Sequence, residues 1–374
     1  PNSLIPVSFY NWGNEFFYLI SKYFIVFGKW LYYTSRYRRV KWIMAMTDYL
    51  NDMPAQGNRK VVLVGTGFVG MSMAYTLMNH KGIDELVLVD VNTEKAEGEA
   101  MDLVHGLPYA NGKLKVYAGD YSDCTDANVI VVTAGAAQKP GQTRLELVAI
   151  NTKIMASVGK SIKESGFNGV IVVASNPCDI MTYVMQKATG LHPYQVLGSG
   201  TMLDTARLRY EIGNFFEVNP ASVHGYIMGE HGDSSFVSWT NAYIGCKSLL
   251  EVVEERKVPF DQLQRIYEQV RDAAYEIINK KRATYYGIGM SLARLVDAIL
   301  NNENTVLPLS CYLEGQYGHE GLYIGVPAII NRAGIREILT LPLTESDQEK
   351  FDRSCSTLQE IIDTTVTPIL EGKE

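Results

Sequence analysis

Four short runs of the chain are almost wholly apolar: Val61-Val62-Leu63-Val64, Leu86-Val87-Leu88-Val89, Val129-Ile130-Val131-Val132-Thr133 and Val170-Ile171-Val172-Val173-Ala174. A half-exposed strand alternates apolar and polar residues, so runs without a polar face predict strands covered on both sides. Helical stretches separate them, the first from Phe68 to Asn79, and a closing helix is expected from about Glu345 to Leu370. Strands alternating with helices imply a parallel sheet with helices on its faces, an α/β fold. No internal repeat or low-complexity linker interrupts this rhythm.

Chemistry enters at the strand ends. Val61–Val64 runs into Gly65, Gly67 and Gly70, a GxGxxG spacing that opens the next helix through Phe68 and Val69. In such a turn one glycine permits the tight bend, the second lets backbone approach a pyrophosphate, and the third allows the helix to lie close on its strand. The helix N-terminus then faces the phosphates. The second strand ends in Asp90, 20 residues beyond Gly70, where a carboxylate accepts hydrogen bonds from ribose hydroxyls and repels a 2'-phosphate. A Rossmann-type doubly wound domain binding NAD rather than NADP is expected, with a mixed α/β domain after it.

Composition narrows the partners. With 374 residues and 47% hydrophobic content the chain can build one large domain or two ordinary ones, and a net charge of −7 gives no electrostatic reason to bind nucleic acid. A small-molecule partner is expected. Five cysteines, at 124, 178, 246, 311 and 355, show no CxxC pair and read as reduced core thiols in a cytoplasmic protein, with no metal site. Met155, Met181 and Met185 read as core filler. His80 and His105 read as hydrogen-bonded core histidines.

Residues 1–45 differ from the rest: they are rich in aromatics and carry six Lys/Arg against Glu15 alone, a net +5 that leaves −12 on the remainder. Lys22 and Lys29 interrupt the apolar run from Phe16 to Tyr33, which argues against a spanning helix. Arg36, Arg38, Arg39 and Lys41 follow that run, the reverse of a signal peptide. The segment reads as an extension outside the fold, without membrane contact; a basic aromatic helix lying on anionic lipid is the alternative.

Five motifs in order carry a family resemblance: Gly65 to Gly70, Ala134-Gly135-Ala136-Ala137-Gln138-Lys139-Pro140-Gly141-Gln142-Thr143-Arg144, Ser175-Asn176-Pro177, Leu203-Asp204-Thr205-Ala206-Arg207 and Gly229-Glu230-His231-Gly232-Asp233. From about residue 58 to 370 the chain resembles the L-lactate/malate dehydrogenases. The resemblance implies an NAD-binding domain over 58–198 and a substrate-binding catalytic domain over 199–370, with the active site between them. It implies hydride exchange between NADH and a small 2-ketoacid. His231 would be the acid/base, oriented by Asp204; Arg207 would clamp the substrate carboxylate, and Arg144 on a mobile loop would stabilise charge on the ketone oxygen. Thr133, Ala134, Gly135 and Asn176 would complete the cofactor site, and Asn176 would also touch substrate.

These residue types suit that chemistry. Ketone reduction needs a proton donor whose pKa lies near working pH, which histidine supplies, and a planar cation that can pair both carboxylate oxygens, which arginine supplies. Taken alone, Asp204 could cap a helix, as could Thr201 and Thr205. Arg207 and Arg209 could form a charged helix face, Asn176 could make a turn before proline, and Thr284 could be an ordinary helix residue.

Within the family, Gln138 occupies the position where malate enzymes carry an arginine. An uncharged glutamine leaves a second carboxylate unpaired, which favours pyruvate over oxaloacetate. Thr284 would stand beside the substrate methyl. The expected activity is therefore reversible pyruvate–lactate interconversion, the closing step of fermentative glycolysis, in a homotetramer. Arg209 and His224 match positions that bind fructose 1,6-bisphosphate between subunits of bacterial members, so this activator is expected as an allosteric partner. Alternatives are a malate enzyme, or a membrane-tethered relative without turnover. A serine hydrolase is disfavoured because Gly198-Ser199-Gly200 lacks the GxSxG spacing.

Overall fold

Each predicted strand forms in the computed structural model, which describes residues 58–110, 112–136, 143–259 and 261–372. Residues 1–45, and with them the membrane question, lie outside the described residues.

Strands β1 (Lys60–Val64), β2 (Glu85–Val89), β3 (Lys115–Ala118), β4 (Val129–Val132), β5 (Val170–Val173) and β6 (Val196–Gly198) pair in parallel in the order β3-β2-β1-β4-β5-β6. The apolar runs of β1, β4 and β5 are buried along their whole length, because helices cover both faces. Those helices are α1 (Phe68–Met78), α2 (Thr93–Gly106), α3 (Arg144–Glu164) and α4 (Cys178–Thr189). Strand order reverses direction between β1 and β4, and ligands of doubly wound sheets bind in the crevice at the carboxyl ends beside that switch.

The sheet does not stop at β6. Five two-residue strands come first: β7 (Val223–His224), β8 (Ile227–Met228), β9 (Phe236–Val237), β10 (Tyr243–Ile244) and β11 (Lys247–Ser248). Then β12 (Thr305–Glu314), β13 (Glu320–Asn331) and β14 (Gly334–Ile338) add antiparallel to β6, with Ser310 opposite Gly198, giving nine strands in one sheet. The chain after β6 therefore contributes to the same sheet, and one apolar core runs from Val61 to Val366.

The remaining helices are α5 (Met202–Phe216), α6 (Leu249–Glu255), α7 (Asp261–Lys281), α8 (Tyr286–Leu300), α9 (Glu345–Ile361) and, after a π turn at Ile362–Val366, α10 (Thr367–Leu370). A second core of Leu208, Ile212, Phe216, Leu249, Leu263 and Ile266 joins α5, α6 and α7. Helix α8 lies so close on α1 that a Cβ at Gly289 would stand 2.6 Å from that of Ser72. Phe68, the first residue of α1, stacks near Tyr285 at 5.2 Å between ring centroids.

Three sequence expectations need correction. Thr284 lies in the irregular segment between α7 and α8, not in a helix. Cys246 is exposed, while Cys124, Cys178, Cys311 and Cys355 are buried; all five are free thiols. His105 is exposed on α2, whereas His80 is half-buried and paired with Asp297 at 2.5 Å. Met155, Met181 and Met185 are fully buried, as core filler should be.

Candidate active site

The dinucleotide turn is built from packing. Gly65 has φ +104°, a conformation that L side chains rarely adopt, and an added Cβ would stand 2.7 Å from the Ala134 nitrogen. A Cβ at Gly70 would meet the Gly65 carbonyl oxygen at 2.2 Å. At Gly67 it would meet nothing within 4 Å, so that position faces open space and the backbone there is bare toward a ligand. Gly67 also caps α1 with no side-chain hydrogen bond, leaving first-turn N–H groups for an anion. Thr133 donates through Oγ1 to the Gly65 carbonyl at 2.8 Å and so ties β4 to the turn.

Asp90 is anchored to the same turn. Its Oδ2 accepts from the Thr66 amide at 2.7 Å and the Thr66 hydroxyl at 2.9 Å, and its Oδ1 accepts from the Asn92 amide at 3.0 Å. Burial opposes its charge, but those hydrogen bonds and the nearby Lys95 outweigh it and hold the carboxyl below its usual range. An ionised acceptor stands where a ribose diol would bind and a 2'-phosphate would be repelled. These residues fit NAD.

His231 is placed by two anchors. Its backbone amide donates to Asp179 Oδ2 at 2.8 Å, and its Nδ1 pairs with Asp204 Oδ2 at 2.7 Å. Asp204 stands in the first turn of α5 and does not cap it; its Oδ1 accepts from Arg207 Nη1 at 3.1 Å. Thr201 takes the N-cap position of α5 without a side-chain capping bond, and Thr205 lies inside the helix; both side chains grip the neighbouring strand. The Thr201 hydroxyl donates to the Ile227 carbonyl at 2.6 Å, and Thr205 Oγ1 accepts from the Ile227 amide at 3.0 Å. This double clasp sets α5 against β8 and so brings Asp204 to the segment carrying His231.

The glycine-flanked loop is fixed from its other side by α9. Gly229 has φ +96°, and a Cβ there would stand 2.7 Å from Ser354 Oγ. Ser354 donates to the Ser234 carbonyl at 2.7 Å and accepts from the Glu230 amide at 3.3 Å.

The electrostatics follow. The Asp204 carboxylate holds the His231 imidazolium and pushes its pKa up to about 9, against burial, which lowers it. Burial works against the charge of Asp204, but His231 and Arg207 outweigh it and its carboxyl lies below the usual range. With Nδ1–H committed to Asp204, Nε2 is the nitrogen left to give a proton to a substrate oxygen.

The other predicted residues lie on several separate segments. Asn176 lies three residues beyond β5 and is exposed, and Ser175 beside it donates to the Ala134 carbonyl at 2.5 Å. Thr284 is three residues from Gly287, where a Cβ would stand 2.9 Å from Leu203 Cδ1, which brings its segment to the start of α5 beside Asp204. Gln138 lies outside the described residues. Arg144 opens α3 behind the N-cap Thr143, and its side chain is likewise outside them. Arg209 donates to the Pro220 and Ala221 carbonyls, each at 3.2 Å, just before β7, whose second residue is the exposed His224.

Sequence reasoning missed Asp179. This fully buried carboxylate accepts from the His231 amide and from the Ser310 hydroxyl at 2.5 Å, and burial raises its pKa to about 6. Its one signal was a lone charge in the apolar Cys178-Asp179-Ile180-Met181 stretch, where an acid in a first helical turn has a simpler explanation in the helix dipole.

Comparison with known proteins decides the family. Residues 59–198 match the model for the lactate/malate dehydrogenase NAD binding domain, and residues 201–368 match that for the lactate/malate dehydrogenase alpha/beta C-terminal domain. The chain belongs to the lactate/malate dehydrogenase family. Among members of this family, it is 51% identical over 307 residues to L-lactate dehydrogenase 2 of Lactococcus lactis subsp. lactis, covering 82% of this chain and 98% of that protein. It is 52% identical over 316 residues to L-lactate dehydrogenase 2 of Bacillus cereus, covering 84% and 99%. A solved minor L-lactate dehydrogenase of Enterococcus mundtii in ligand-bound form superposes with a TM-score of 0.81 at 50% identity, covering 82% of this chain and 98% of that one. A lactate dehydrogenase from a deep-sea metagenome library gives 0.80 at 51% identity over the same shares.

Proposed function

We propose that this chain is an NAD-dependent L-lactate dehydrogenase interconverting pyruvate and L-lactate. The observation that carries the reading is the Asp204–His231 pair with Arg207 on the same carboxylate, at the carboxyl-end side of a dinucleotide-binding sheet. Similarity to L-lactate dehydrogenases at about half identity supports the choice of substrate. In this reading residues 58–198 hold the cofactor and 199–370 supply the proton-transfer and carboxylate-binding groups.

The residues that would hold NAD are Gly65, Gly67, Phe68, Val69 and Gly70 at the pyrophosphate, Asp90 at the adenosine ribose, and Thr133, Ala134, Gly135 and Asn176 toward the nicotinamide. NADH bound there supplies the hydride. The chain's own part is to present an imidazolium at His231 Nε2 to the ketone oxygen and a guanidinium at Arg207 to the carboxylate, with Gln138 and Arg144 contributed by the sequence between β4 and the start of α3. In the direction of lactate oxidation the same Nε2 takes the proton back. Steady-state NADH oxidation by the purified protein tests the reading: kcat/KM for pyruvate should exceed that for oxaloacetate by tenfold or more, and the reverse order would make it a malate enzyme.

We infer a homotetramer, supported by exposed apolar residues on α2 (Met101, Val104) and α5 (Tyr210, Phe215) that a monomer would leave in water. We also infer activation by fructose 1,6-bisphosphate at Arg209 and His224. Support comes from the Arg209 guanidinium being pinned to the segment that leads into His224, which brings the two residues to one strand end. The bisphosphate is expected to lower the pyruvate half-saturation about fivefold or more at slightly acidic pH, a coupling of about 1 kcal/mol; unchanged saturation curves would remove this site. Free thiols throughout support a cytoplasmic setting. No helix among the described residues is long and apolar enough to cross a membrane.

A further inference from the structure

Asn151, on α3, is 2% exposed, and its carboxamide is spent on two other segments of chain. Its Oδ1 accepts from the Ala136 amide at 2.8 Å. Its Nδ2 donates to the Asn176 carbonyl at 2.8 Å and to the Ala136 carbonyl at 3.3 Å. One side chain thus satisfies both polar backbone groups of Ala136 and the carbonyl of Asn176, groups in the segments that follow the adjacent strands β4 and β5. Gly135 packs directly on the amide, where a Cβ would stand 3.4 Å from Asn151 Oδ1.

We propose that Asn151 is a positioning residue for ketoacid binding and selection. It touches no reacting atom; it fixes the backbone from which the chain departs toward Gln138 and Arg144, and in the same stroke the peptide that aims the Asn176 side chain. Here Ala136, the last described residue before Gln138, and Asn176 share one anchor. Only a carboxamide of this length accepts from one peptide and donates to the next. A carboxylate would set a negative oxygen against the Ala136 and Asn176 carbonyls, and glutamine would overreach by one methylene. The inference rests on the ketoreductase reading above.

The test compares the parent with Asn151→Asp, which is nearly isosteric and keeps the acceptor for the Ala136 amide, and Asn151→Ala. In both variants KM for pyruvate is expected to rise tenfold or more and the pyruvate-to-oxaloacetate ratio of kcat/KM to fall at least fivefold. The NADH dissociation constant should change less than KM for pyruvate, because of the proposed cofactor residues only Gly135 and Asn176 meet Asn151, while the Gly65–Gly70 turn and Asp90 are untouched. A folded Asn151→Asp enzyme with parental KM and parental selectivity overturns the proposal. Should the variants fail to fold, amide hydrogen exchange in the unmodified enzyme still decides: the Ala136 amide is expected to be protected without ligand, and exchange at the rate of an open chain refutes the anchor. A parent that prefers oxaloacetate would sink the lactate reading alone, and the Asn151 comparison would then be run on oxaloacetate.

Discussion

Replacing His231 with asparagine is expected to cut kcat/KM for pyruvate by about 10²–10⁴-fold, the usual worth of a positioned general acid, while the fold and NADH affinity persist. Asparagine is the informative substitution. Its amide nitrogen falls near the position of histidine Nδ1 and can still donate to Asp204 Oδ2, so a buried carboxylate is not left unpaired. The backbone amide at 231 still donates to Asp179. What disappears is Nε2, the atom assigned to the proton. Single-turnover reduction at saturating NADH checks this, with thermal unfolding as the control. Turnover near the parental rate would show that the proton comes from elsewhere.

The second large effect is on choice of substrate. Gln138→Arg is expected to move the pyruvate-to-oxaloacetate ratio of kcat/KM toward oxaloacetate by about 10²–10³-fold. Leaving a buried charge unpaired costs about 2–5 kcal/mol, and each 1.4 kcal/mol is a factor of ten. Oxaloacetate differs from pyruvate by one carboxylate in place of a hydrogen on the methyl, so a guanidinium at that position pairs a group that glutamine leaves alone. The loss for pyruvate should be smaller than the gain for oxaloacetate, since a methyl tolerates a neighbouring cation better than a carboxylate tolerates its absence. Steady-state kinetics on both ketoacids measures it, and an unchanged ratio rejects the assignment of Gln138.

Much of this arrangement was legible in the sequence, for identifiable reasons. Strands β1, β2, β4 and β5 announced themselves because burial on both faces removes polar alternation, and the glycine turn because only glycine fits Gly65 and Gly70. His231 stood out between glycines and in motif order with Asp204 and Arg207. The extension of the sheet by β12 and β13 was not legible: Pro308 and Pro327 face each other across that hairpin, and proline ordinarily argues against an inner strand. They are tolerated because β6 meets β12 only at Ser310, and β14 begins pairing with β13 at Ala328.

Asn151 and Asp179 were silent for a related reason. Asp179 is a lone charge among apolar helix residues and Asn151 opens the polar run Asn151-Thr152-Lys153 of another helix, and only the fold reveals that they bond to Ala136, Asn176 and His231. Thr201 and Thr205 misled in the opposite way: residues that favour helix ends were doing their bonding to Ile227 across the fold.

The claim on which the rest depends is that His231 carries the transferred proton because Asp204 keeps it charged. The pH dependence of kcat/KM for pyruvate reduction measures this most directly. A pKa raised to about 9 means the imidazolium is present below that pH and lost above it. The rate should therefore be level through neutrality and fall tenfold per pH unit beyond about 9. In Asp204→Asn the descending limb should move toward lower pH. A parental profile that stays level through pH 10, or a limb that does not move in the variant, would contradict the account.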